Sequence, residues 1–157
     1  MTNRAITIDS HVMLACDRET AWSALVDWEG QAAWMKDADS VRVITERREG
    51  VGVRIAVKTR VLQIPAFTEV LEVVVWEPCA RLVMQHTGVV DGTGTWTLEP
   101  APGGTRFSWV EELSLSIPLI GVLALRVYRP FMRWLMGRAL GELAHRFERG
   151  IDPDTTS

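Results

Sequence analysis

The chain has 157 residues, a net charge of −3 and 47% hydrophobic residues, which suits one packed domain and excludes a disordered chain. The acidic balance excludes the basic field that a nucleic-acid partner needs and a polybasic membrane anchor. Two cysteines without CxxC spacing and three scattered histidines form no zinc, redox or metal motif, so no metal and no other cofactor is expected.

The first residues are polar and lack the apolar stretch of a signal peptide, so a cytoplasmic location with free thiols is the expectation. Ile6, Ile8, Val12 and Leu14 alternate with polar residues and predict a half-buried strand, broken at Ser10. Asp17 reads as an N-cap for a short helix through Ala21–Val26. The stretch Asp27–Asp39, with Trp28 and Trp34, reads as a second short helical turn.

Six strands are predicted next, at Val41–Arg47, Val53–Leu62, Phe67–Trp76, Arg81–Thr87, Thr93–Leu98 and Thr105–Leu115. Gly and Pro signals separate most of them, as in an antiparallel meander. A helical pattern then runs from Leu119 to Arg149. Proline is disfavoured inside a helix and welcome in its first turn, so the long helix is expected to start near Pro130 and to stop at Gly150. Residues 1–151 are read as one domain and 152–157 as a loose tail. The fold class is α+β: a curved antiparallel sheet wrapped around a long C-terminal helix, with two short helices after the first strand and space between sheet and helix.

The residues that carry a resemblance are the helix start Asp17-Arg18-Glu19-Thr20-Ala21-Trp22, Asp27-Trp28, Trp34 and Gly50-Val51-Gly52. Trp76-Glu77-Pro78, the hairpin Pro102-Gly103-Gly104-Thr105 and a terminal helix with Leu143 and Phe147-Glu148 complete the set. Together they resemble the START-like (SRPBCC) superfamily, and within it the polyketide cyclase/dehydrase group, over nearly the whole chain. The resemblance implies a helix-grip fold with a hydrophobic pocket between sheet and helix. It does not select among ligand carriers, lipid-transfer proteins and cyclases.

Strand parity suggests the pocket wall. Phe107, Trp109, Glu111 and Leu113 share one face; Leu82, Met84 and His86 share another, opposite Arg81, Val83 and Gln85; Gly94, Trp96 and Leu98 share a third. Hairpin turns centred on Val90 and near Pro102 would set Gly94 opposite both His86 and Glu111, about 10 Å apart at the backbone. Three readings of this pair stand side by side. His86 and Glu111 act as acid and base in an apolar cavity, or they contact a ligand without chemistry, or Glu111 bonds Arg126 or Arg129 while His86 sits at a wet mouth. Tyr128, Met132 and Met136 are candidates for the helix wall or for ordinary core. Candidate ligand contacts are thus Trp96, Trp109, Phe107, Met84, Tyr128, Met132, Met136 and Trp34.

Three functions are compatible with these residues. The first is binding of a small hydrophobic molecule, a lipid or polyketide-like metabolite. The second is cyclase or dehydrase chemistry at His86 and Glu111. The third is a peripheral membrane or protein contact through the apolar segment 117–136, where Arg126, Arg129 and Arg133 argue against a spanning helix. The patch 119–127 would equally serve a homodimer, so monomer and homodimer both stay open.

Overall fold

The computed structural model of the chain describes residues 5–61, 64–88, 90–115 and 121–148. The elements in order are β1 (Ala5–Leu14), α1 (Arg18–Val26), a 3-10 turn (Glu29–Ala33), β2 (Ala38–Val43), β3 (Arg54–Val61), β4 (Ile64–Glu77), β5 (Arg81–Thr87), β6 (Val90–Ala101), β7 (Gly104–Leu115) and α2 (Gly121–Glu148). The strands form one seven-stranded antiparallel sheet ordered β1-β7-β6-β5-β4-β3-β2. Each neighbour except β1–β7 is the next strand in sequence, so short hairpins build most of the sheet. The curled sheet and the long helix make the START-like helix-grip fold.

Local chemistry explains the entry into α1. The Asp17 side chain accepts from the Thr20 N–H at 2.7 Å, which satisfies one of the orphan donors of the first turn. Ala21, Trp22 and Leu25 then face the core. Trp22 meets Trp76 of β4 edge-on at 5.1 Å, and the Trp28 ring lies 6.3 Å from the same residue. The inner face of α2 is Met136, Ala139, Leu140, Leu143 and Ala144, all buried, at the three- and four-residue steps of a helix stripe.

Several expectations change. β1 is continuous through Ser10, which pairs with Trp109 of β7, because an exposed or half-buried Ser costs an edge strand little. The second helical segment is one 3-10 turn. α2 begins at Gly121 and carries Pro130 in its interior. An interior proline costs about 3 kcal/mol, yet the helix runs on through it, and its neighbours Tyr128, Phe131 and Met132 line the space between α2 and the sheet. β5 buries Leu82, Val83 and Met84 in succession, so Val83 departs from the outward parity expected of it. A β-bulge between Val73 and Val75 of β4 sets Val75 opposite Val83. Gly150 and the tail 152–157 lie outside the described residues.

Candidate functional site

A partly open cavity of about 170 Å³ lies between the concave face of the sheet and the inner side of α2. Met84, Trp96, Trp109, Glu111 and His86 contribute from the sheet; Tyr128, Met132 and Met136 contribute from the helix. Trp34 and Phe107, expected on this wall, do not line it. They pack behind it against Trp96, with ring centroids at 6.0 and 5.8 Å. Both support the wall from the core.

The register brings the ionisable residues together. Gly94 stands opposite Glu111, as the hairpin near Pro102 requires. His86 stands opposite Gly92, two residues from the expected partner, while Met84 faces Gly94. A two-residue slip preserves the face a side chain points to, so His86 still turns inward. Its Nε2 lies 3.1 Å from Glu111 Oε2. Its Nδ1 donates to Glu69 Oε1 at 2.8 Å. Glu111 Oε1 in turn accepts from Trp109 Nε1 at 2.6 Å. The expected bond from Glu111 to an arginine is absent among the described residues: Arg129 is exposed, and the Arg126 side chain lies outside them.

Sequence reasoning misses Glu69, although its signal is present. Phe67, Glu69, Leu71 and Val73 alternate along β4 and share one face, with Leu71 opposite His86. Gln31, Met35, Asp37, Leu71, Phe131 and Leu135 also reach the cavity. The buried Gln31 is held by donation from Nε2 to the Leu25 carbonyl at 2.7 Å.

The electrostatics follow from this arrangement. Burial works against a charged His86 ring, but the carboxylates of Glu111 and Glu69 beside it outweigh that cost and push its pKa up to about 10. The ring is therefore an imidazolium at neutral pH, bracketed by two carboxylates. Burial, followed by the nearby Glu69, Glu111 and Asp37, pushes the Tyr128 hydroxyl up to about 12. Burial raises the Asp37 carboxyl above its ordinary value. Among the described residues there is no group of His, Cys, Asp and Glu that could hold a metal ion.

Other histidines and basic residues lie elsewhere. His11 is exposed, and His145 is exposed near Glu148 at 3.4 Å. Arg54 and Lys58 are exposed and paired with Glu72 and Asp39; Arg60 also engages Asp39. On α2, Val127 and Trp134 are exposed, and the Arg138 guanidinium lies 5.0 Å from the Trp134 ring centroid. No helix among the described residues is long and apolar enough to cross a membrane.

A curled seven-stranded sheet gripping a long C-terminal helix, with a pocket between them, is the START-like helix-grip fold. The family described as polyketide cyclase/dehydrase and lipid transport matches residues 5–148, and the chain belongs to it. Solved structures agree on the fold. TTHA0849 from Thermus thermophilus superposes with a TM-score of 0.78 at 20% identity, over 94% of this chain and 100% of that one. The di-domain ARO/CYC StfQ of the steffimycin biosynthetic pathway gives 0.77 at 15% identity, over 94% of this chain and 52% of that one. A START superfamily protein from Mycobacterium smegmatis gives 0.68 at 15%, over 95% and 99%. No curated protein matches the sequence significantly.

Proposed function

We propose that this protein binds a small hydrophobic molecule in the cavity between sheet and α2, with its polar part at the Glu69–His86–Glu111 end. One observation carries the reading. The cavity wall is mostly apolar, yet Glu69, His86 and Glu111 meet at one place on it, the pattern of a site that orients a ligand through few polar contacts. The volume of about 170 Å³ supports a ligand near the size of one aromatic ring, since a cavity of roughly 150 Å³ accepts benzene. A long acyl chain would need the helix to move outward. The free thiols of Cys16 and Cys79 support a reducing, cytoplasmic setting.

The test is native mass spectrometry of freshly purified protein, then solvent extraction and identification of any released molecule. A bound aromatic or polyketide-like compound is expected. Failure to retain any molecule, combined with no change of Trp fluorescence across a panel of apolar ligands, overturns the reading.

The proton held at His86 supports a second reading, cyclase or dehydrase chemistry. In it His86 enters as an acid rather than a base, because its ring is already protonated, and Glu111 or Glu69 receives the proton from substrate. His86→Gln would then abolish turnover of a candidate substrate while leaving its binding within a few-fold.

The exposed Val127 and Trp134, on one side of α2 with the exposed Arg138, support the third reading, a peripheral contact of α2 with an anionic lipid surface. Co-sedimentation with phosphatidylserine vesicles, lost in Trp134→Ala and at high salt, is the expected result. Equal sedimentation with neutral vesicles would count against it.

A further inference from the structure

Three carboxyl groups, Asp37, Glu69 and Glu111, line the cavity against one enclosed cation, His86. Arg60 also reaches the lining, but it is exposed and shares the single carboxylate of Asp39 with Lys58. One imidazolium balances one carboxylate. A negative charge is left over at a site removed from water, and Asp37 has no cation within ion-pair distance among the described residues.

All three carboxyls line the same pocket as Tyr128, and Glu69 and Glu111 both stand against His86. Glu111 is 5% exposed. Its Oε2, though 3.1 Å from His86 Nε2, takes no well-aligned hydrogen bond. That oxygen therefore retains acceptor capacity in a place water reaches poorly, which is costly unless a donor arrives. Trp96, Trp109, Tyr128 and Phe131 stand around the same space. Aromatic faces attract a cation more strongly once it is desolvated.

We infer that the cavity selects a protonated amine on a small apolar or aromatic skeleton, with its ammonium among Glu111, Glu69 and Asp37 and its body against the aromatic wall. This rests on the reading that the cavity binds a small molecule. A neutral alcohol would supply one donor but leave the excess charge unbalanced. A carboxylic acid would add to it.

Four probes of near-equal shape separate the possibilities: 2-phenylethylamine, 2-phenylethanol, ethylbenzene and phenylacetate, each titrated at pH 7 by calorimetry and Trp fluorescence. The amine is expected to bind at least about tenfold more tightly than the alcohol, and phenylacetate more weakly than ethylbenzene. In Glu111→Gln the amine preference should fall by about tenfold or more, with ethylbenzene affinity kept. If alcohol or hydrocarbon binds as well as the amine, the amine inference is wrong and the cavity reading survives. If none of the four binds, both are wrong. Should Glu111→Gln fail to fold, the wild-type series decides alone, since it needs no variant.

Discussion

Gly94 and Glu111 face each other across β6 and β7, and a β-carbon built on Gly94 would stand 2.7 Å from Glu111 Oε1. The carboxyl occupies the space over β6 that any other residue would fill. From there it reaches both His86 and Trp109. The glycine thus holds the buried charge cluster in place without touching it through a side chain.

Gly94→Ala should leave the protein folded, because the clash is with the movable end of a side chain. A loss of about 1–2 kcal/mol is expected in denaturant melts. The informative readout is the imidazole titration by NMR: displacing Glu111 removes one of two carboxylates, so the His86 pKa should drop. An unchanged titration would mean that Gly94 does not set the position of Glu111.

Gly92→Ala should behave differently. Its φ is +151°, and the added β-carbon would meet the Glu112 carbonyl oxygen at 2.1 Å. Backbone in a paired strand cannot move aside as a side chain can. The expected loss is about 3 kcal/mol or more. A smaller loss than that of Gly94→Ala would contradict this ranking.

The pH dependence of stability has a definite sign. The His86 pKa is raised in the folded state, from 6.5 to about 10. The folded chain therefore holds this proton more tightly than the unfolded one. Its contribution is complete below pH ~6.5 and is lost as pH rises toward ~10. The amount is on the order of a few kcal/mol. Tyr128, also raised, begins to add a loss of the same sign above pH ~10. Melts between pH 6 and 9.5 should show a steeper decline for the native chain than for His86→Gln. Parallel declines would show that His86 carries no such linkage.

Trp96→Ala should cost about 3–5 kcal/mol, since Trp34, Phe107 and Trp109 all pack on this ring and a large void would remain. Met132→Ala, at a half-buried residue facing the cavity, should cost about 1 kcal/mol or less and enlarge the ligand space. Chemical denaturation of the two variants checks the contrast. Comparable losses would mean that Met132 belongs to the packed core.

How far the sequence can be read differs by element. The Asp17 cap and the alternation in β7 are local signals, and the structure shows the cap bond and the burial of Phe107, Glu111 and Leu113 that they imply. Proline's local cost misplaces the start of α2, because the helix runs on through Pro130. Glu69 escapes notice because a strand glutamate ordinarily stands on the solvated face, as Glu72 of the same strand does. Phe107 reads as cavity wall from its inward parity and Trp34 from its aromatic bulk, but neither property tells a wall residue from one packed behind it.

Periodicity, turn residues and capping act over a few neighbours, so the sequence alone determined the order of elements, the inward faces of β6 and β7, and that His86 and Glu111 turn to the same side. The meeting of Glu69, His86, Glu111 and Tyr128 was decided only by the tertiary structure. It depends on the pairing of β4 with β5, on the β5–β6 register and on the seat of α2 across the curled sheet. Those are set by burial summed over the whole molecule, which no local stretch of sequence contains.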